Sequence, residues 1–189
     1  NLVEYSLELW TYAGGLFGGL AELSSLGIPV ITILHGPSTA GGAYQPGLSD
    51  YVIGVKKNGM AALAGSALVK AATGEISEDQ DLGGAEMHSR VTGLVEYLAE
   101  NDTHAIKLAR KVVCNLGWER VYDYNLDFKE PKYPSEEILG IIPTSFEKSY
   151  DVKELIIRIV DNSEFLEFKS SYGISTVCAH AKIFGKECS

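Results

Sequence analysis

Residues Ile28–Leu34 (IPVITIL) are an unbroken run of apolar and β-branched side chains, followed at once by HGPSTAGGAYQPG. A strand without polar alternation must be covered on both faces, as in a parallel sheet with helices packed against it. Tyr51–Val55 (YVIGV) predicts a second strand of the same kind. Buried strands alternating with helical segments imply an α/β fold. Between Leu23 and Ser49 the only Asp, Glu, Lys, Arg or His is His35, but Gly27, Pro29, Gly36, Pro37, Gly41, Gly42, Pro46 and Gly47 interrupt the stretch. Such punctuation excludes a membrane-spanning helix and predicts a buried soluble segment.

The helices are read from periodicity and capping chemistry. Leu7–Leu26 carries apolar residues at near-helical spacing around Gly14, Gly15, Gly18 and Gly19, which predicts a helix that meets a neighbour closely. Met60–Ala72 (MAALAGSALVKAA) predicts a helix of small residues, and Asp81–Arg90 (DLGGAEMHSR) a turn. Asn101 or Asp102 is placed to cap a helix with Ala105, Ile106, Ala109, Val112, Val113 and Leu116 on one face. Periodicity then fades from Gly117 to Thr144, where Pro131, Pro134 and Pro143 interrupt a polar stretch. Asp151 with Glu154 makes a capping-box-like pair before Val152, Leu155, Ile156, Ile159 and Val160, and Ser175–Phe184 reads as a strand. The expected organisation is a first unit over 1–117, a connection over 118–147 and the start of a second unit over 148–189. The opening residues NLVEYSLELW already read as structured chain, without an initiator Met or a leader pattern. The chain therefore reads as an internal piece of a longer protein.

Charge and cysteine usage narrow the function classes. The net charge is −9, and residues 71–189 hold 21 acids against 13 bases, which argues against a nucleic-acid partner. Local backbone dipoles can still bind an anion, so the charge leaves coenzyme A open. Cys114, Cys178 and Cys188 are odd in number and widely spaced, which indicates neither a disulfide framework nor zinc and favours a reducing compartment. His35, His104 and His180 have no partner at metal-ligand spacing.

The segment Ser38–Tyr44 (STAGGAY) holds the chemistry. It leaves a buried strand and opens a short helix, where the first N–H groups lack intrahelical partners and a glycine lets a ligand oxygen approach closely. Gly41 and Gly42 could thus wall an oxyanion hole, although a glycine turn needed only for packing has the same spacing. The chain has no phosphate-loop motif, no Rossmann fingerprint and no nucleophile elbow. Lys70, Glu75, Asp81, His88 and Arg90 stand near glycine turns, each equally readable as a cap or a solvated group.

Taken together, GIPVITILHGPSTAGGAYQPGLSDYVIGV, LVKAATGE, DLGGAEMHSRVTG, YLAENDTHAIKLARKVV and YDVKELIIRIVDNSEFLEFK resemble the carboxyltransferase (β) subunit of biotin-dependent acyl-CoA carboxylases, from about Gly27 to Gly185. STAGGAY looks most like the methylcrotonyl-CoA carboxylase branch. The resemblance implies a crotonase-like (ClpP/crotonase) fold, with the later part of an N domain and the start of a C domain. It implies carboxyl transfer from carboxybiotin to an acyl-CoA (methylcrotonyl-CoA-like, propionyl-CoA or acetyl-CoA). Biotin, carried on a partner protein or domain, would release carbon dioxide and take the substrate proton, and the thioester enolate would attack carbon dioxide. Carried over by position, Gly41 and Gly42 would supply oxyanion-hole amides, Ala40, Ala43 and Tyr44 would shape that wall, and Gly65, Lys70, Gly83 and Gly84 match segments lining the same cleft. No metal is implied in this segment. The implied partners are the acyl-CoA, a biotin carboxylase or biotin carrier subunit, and further copies in a homo-oligomer, with neither nucleic acid nor membrane. The implied location is the cytoplasm, or the mitochondrial matrix in a eukaryote.

Gly65-Ser66-Ala67-Leu68-Val69-Lys70 departs from the usual G-P-P-L-V-K, and YAGGLFGGLAELS matches the family's helix poorly, which bears on the acyl pocket. The family's earlier glycine loop and its C-domain glycine turn would lie outside these residues, so the 189-residue piece alone is expected to be inactive. The same residues allow a biotin-dependent acyl-CoA decarboxylase, a truncated non-catalytic assembly relative, or, less well, an enoyl-CoA hydratase, which needs acidic side chains facing the substrate.

Overall fold

The computed structural model describes residues 2–116 and 128–189, with side chains throughout except at 2–10 and 13. The chain divides into two compact units, Asn1–Ala109 and Arg110–Ser189. Residues 118–127 of the connection expected from sequence lie outside the described residues.

The first unit opens with helix α1 (Leu2–Ser25). Gly27, at φ +70, ends it: the Ile28 N–H reaches the Leu23 carbonyl at 3.0 Å and the Gly27 N–H reaches that of Ser24 at 3.0 Å. This Schellman arrangement turns the chain into the sheet. A Cβ built at Gly14, Gly15, Gly18 or Gly19 meets nothing within 4 Å. The close neighbour that those glycines suggested is therefore not supplied by the described residues.

Strands β1 (Ile31–Leu34), β3 (Tyr51–Val55) and β5 (Tyr97–Ala99) form a parallel sheet in the order β1-β3-β5. The Asp50 carboxylate fixes its edge by accepting from the Val30 N–H at 2.8 Å. A second parallel pair joins β2 (Pro37–Thr39) to β4 (Met60–Ala62), with Ser38 opposite Ala61. Leu34, Val52, Ala61 and Val95 form a core cluster linking the two sheets. At about 25 cal/mol per Å² of apolar surface, such burial is the main stabilising term.

Met60–Ala62 is thus a strand rather than the first turn of a helix. Its alanines have high helix propensity, but pairing with β2 and burial of Met60 and Ala61 outweigh it. Helix α3 starts only at Ser66 and runs to Thr73. The expected turn over Asp81–Arg90 is largely helical: α4 (Asp79–Gly83), α5 (Ala85–Met87) and a π-helical turn, His88–Thr92.

Helix α6 (Asp102–Cys114) is capped by Asn101, whose side-chain oxygen accepts from the His104 N–H at 3.0 Å. Ala105 and Val112 are buried, whereas Ile106 and Val113 of the predicted stripe are exposed. In the second unit, short helices α7 (Ile138–Ile141) and α8 (Val152–Ile156) precede an antiparallel sheet of β6 (Phe165–Phe168), β7 (Cys178–Ile183) and β8 (Lys186–Cys188). Asp151 caps α8 by accepting from the Lys153 N–H at 2.9 Å. The Glu154 carboxylate does not complete a capping box: it pairs with Arg158 at 2.8 Å. Val160 is the buried residue of the predicted stripe, with Leu155 and Ile156 half-buried and Val152 and Ile159 exposed.

Candidate functional site

The site is built around the end of β2. Its chain passes into a 3-10 turn, Ala40–Ala43, and then a short helix, α2 (Tyr44–Gly47). A 3-10 turn bonds each N–H to the carbonyl three residues back, so the amides of Ala40 and Gly41 stand at its open end, whereas that of Gly42, expected as a second donor, turns back to the carbonyl of Thr39, the N-cap. Thr39 precedes the turn in extended conformation, and its side chain makes no capping bond.

Ala40 sits at φ 50, the left-handed region that costs a residue with a Cβ on the order of 1–3 kcal/mol. The β2–β4 ladder holds it on one side, and on the other Ala43 packs against the core cluster. Both ends of the turn are thus anchored while its first half is exposed, at Ala40 and Gly41.

The paired glycines differ in their surroundings. A Cβ at Gly41 would meet nothing within 4 Å, whereas one at Gly42 would lie 3.0 Å from Ser38 Oγ. Gly42 is therefore needed partly by its own neighbour strand. At Gly41 no described atom demands glycine, and the space beside it is open to a ligand. Tyr44 follows, half-exposed, its ring edge-on to Phe17 of α1 at 5.7 Å between centroids.

The remaining residues singled out from sequence fall into two groups. Gly83 and Gly84 are buried, and a Cβ at Gly83 would stand 2.3 Å from the Ala61 carbonyl oxygen. One at Gly84 would stand 2.4 Å from the Gln80 carbonyl oxygen. Gly83 hence lets α4 come tightly against β4, while Gly84 clears Gln80 of α4 itself and bridges to Met60 of β4. Gly65 and Lys70 belong to α3: Gly65 is its N-cap and Lys70 is exposed. Glu75, Asp81 and Arg90 are exposed as well.

Two residues carry structure that the sequence did not single out. Asp79 Oδ1 accepts from the Ser66 N–H at 2.7 Å and closes the N-terminus of α3 from thirteen residues away. Hydrogen bonds from the Ser66 backbone and side chain lower the Asp79 pKa below the ordinary carboxylate value. Ser38 lies inside the recognised motif, yet its contact with Gly42 appears only once β2 has folded against the turn. His88 stood among several candidates in the sequence; here both ring nitrogens are engaged, with Ala61 O at 2.7 Å and Thr92 Oγ1 at 2.8 Å. His104 Nδ1 accepts from the Glu100 N–H at 3.2 Å, a structural role at the start of α6.

An exposed, anchored turn with leading amides and no Cβ at its centre can stabilise negative charge on a ligand oxygen. Residues 7–188 match the family described as Carboxyl transferase domain. The chain is 45% identical over 178 residues to the probable biotin-dependent acyl-coenzyme A carboxylase beta2 subunit of Mycobacterium tuberculosis, covering 94% of this chain and 34% of that protein. It is 43% identical over 180 residues to the mitochondrial methylcrotonoyl-CoA carboxylase beta chain of Arabidopsis thaliana, covering 92% of this chain and 31% of that one. Among solved structures, transcarboxylase 12S, a hexamer with hydrolysed methylmalonyl-coenzyme A bound, superposes with a TM-score of 0.81 at 32% identity, over 94% of this chain and 35% of that one. The chain spans about a third of the length of the relatives it matches.

Proposed function

The chain belongs to the carboxyl transferase domain family and has its crotonase-like α/β fold, and on that premise we propose that it supplies the acyl-CoA side of the carboxyltransferase site in a biotin-dependent acyl-CoA carboxylase. One observation carries the reading: the Ala40–Ala43 turn is fixed at both ends, while Gly41 opens onto free space.

In this reading the Gly41 amide holds the thioester oxygen as it gains enolate charge, and Gly42, whose N–H stays within the turn, keeps the turn clear of Ser38 Oγ. Ala40, Ala43 and Tyr44 shape that wall, and Gly65 and Lys70 border the cleft beside it. Gly83 and Gly84 support the wall through β4. Biotin on a partner subunit or domain, when bound, supplies the carboxyl group and the base. The open space at Gly41 fits a planar thioester that must bring its oxygen up to backbone amides. The sheet behind the turn prevents the amides from reorienting, so their dipoles are already aimed when charge develops. A donor of this kind is worth about 3 kcal/mol in the transition state, or roughly a hundredfold in rate.

The substrate proposed is a methylcrotonyl-CoA-like acyl-CoA, supported by the likeness to methylcrotonoyl-CoA carboxylase beta chains. The partners proposed are a biotin carboxylase or biotin carrier subunit and further copies of the same subunit, in the cytoplasm or, in a eukaryote, the mitochondrial matrix. The test is carboxyl transfer to free biotin from malonyl-, methylmalonyl- and methylglutaconyl-CoA by the complete reading frame that carries these residues. Transfer from methylglutaconyl-CoA is expected. Folded protein that transfers from none of the three would overturn the reading.

A further inference from the structure

We infer that His88 is a positioning residue for the thioester-binding turn, acting through the Ala61 carbonyl of β4; the inference rests on the function proposed above. The Ala61 oxygen can only accept, so His88 Nε2, 2.7 Å away, carries the hydrogen. The ring's Nδ1 lies 2.8 Å from Thr92 Oγ1, and that hydroxyl also accepts from the Leu94 N–H at 3.2 Å and stands 3.3 Å from the His88 carbonyl oxygen. The ring is therefore oriented from both ends by groups on either side of it.

Ala61 is the middle residue of β4 and stands opposite Ser38 in β2. Ser38 Oγ lies 3.0 Å from where a Cβ of Gly42 would be, and β2 runs directly into the turn at Ala40. Gly83 presses on the same Ala61 carbonyl, where a Cβ would come to 2.3 Å. The Ala61 peptide is thus held by a hydrogen bond from His88 and by close packing from Gly83. Its position sets that of Ser38 and, through the ladder, that of the two glycines.

His88 opens a single π-helical turn, His88–Thr92, closed by Gly93 at φ +72. Such turns are uncommon and re-aim the side chains within them. His88 itself has ordinary helical dihedrals, φ −62 and ψ −31, so what the turn sets is where Thr92 falls beside the ring. No substrate atom needs to touch the ring: its part is to keep the amides where the oxyanion will form. Displacing such a group by an ångström can cost on the order of a hundredfold in rate.

The experiment compares H88M with H88Q in the complete reading frame. Methionine keeps the length and bulk of glutamine, and glutamine adds an N–H that can reach the Ala61 carbonyl. Carboxyl transfer to biotin is followed as kcat and KM for the CoA donor, with Tm measured alongside. The expected result is a fall of about a hundredfold in kcat for H88M with KM for the donor within about twofold, and recovery of most of that loss in H88Q. Wild-type kcat in H88M, or equal losses in H88M and H88Q, overturns the inference. Should H88M not fold, T92V takes its place, removing only the hydroxyl that orients the ring: reduced kcat at unchanged KM supports the role, and unchanged kcat overturns it. Absence of transfer in the folded wild type would instead overturn the function on which the role rests.

Discussion

Replacing Gly41 with alanine separates a glycine kept for a ligand from one kept for packing. The backbone at Gly41 lies outside the left-handed region, and an added Cβ finds no heavy atom within 4 Å. Gly→Ala at a position of that kind stabilises by about 0.4–1 kcal/mol, because the unfolded chain loses freedom. In a 150–250-residue domain that corresponds to a Tm rise of at most about 4 °C, and to a smaller one in the longer complete protein. The same methyl would occupy the space a thioester oxygen must enter to reach the turn's amides. Loss of one such donor lowers kcat by about 10²–10³. Gly83→Ala is the matched contrast, because its Cβ would stand 2.3 Å from the Ala61 oxygen and 2.9 Å from the Ala62 Cβ. Overpacking against backbone costs about 1–3 kcal/mol or more, so Tm should drop by several degrees. The assay is a thermal melt beside carboxyl transfer to biotin, both on the complete reading frame. G41A that keeps wild-type turnover, or melts as early as G83A, refutes the reasoning.

Two other perturbations probe the frame around the site. Ile53 is fully buried in the central strand, and Ile53→Ala should cost about 2–5 kcal/mol in denaturant unfolding without altering the protein's preference among CoA donors. Asp79→Asn weakens the bond that closes α3. Because the folded-state pKa of Asp79 is lowered, its contribution is present above the unfolded carboxylate pKa and is lost as pH falls through the folded value. The Tm difference between wild type and D79N should therefore shrink between about pH 6 and about pH 3; a difference that grows on acidification would contradict the assignment.

The strand Ile31–Leu34, the strand Tyr51–Val55 and the caps at Asn101 and Asp151 were legible because each is set by local chemistry: an uninterrupted β-branched run, or a short side chain folding back on the nearest amides. The turn at STAGGAY was legible too, with its two glycines, but the short strand Pro37–Thr39 that leads into it was not. Met60–Ala62 was not, since alanine-rich sequence favours a helix and only the partner strand 37–39 reverses that preference. The role of Gly83 was hidden for the same reason, because its neighbour is the Ala61 carbonyl, far back in the chain. Sequence spacing also could not separate His88 from Lys70, Glu75, Asp81 and Arg90. What distinguishes it is a partner 27 residues away, the Ala61 carbonyl oxygen.

The thioester carbonyl stretch of a bound acyl-CoA tests the central claim most directly, recorded as an infrared difference spectrum with a ¹³C label at the carbonyl. The Gly41 amide should shift the band to lower frequency in the wild-type protein, and G41A should return it toward its position in water while the acyl-CoA stays bound. A band that is unshifted in the wild type, or equally shifted in G41A, would contradict the assignment of this turn as the oxyanion site.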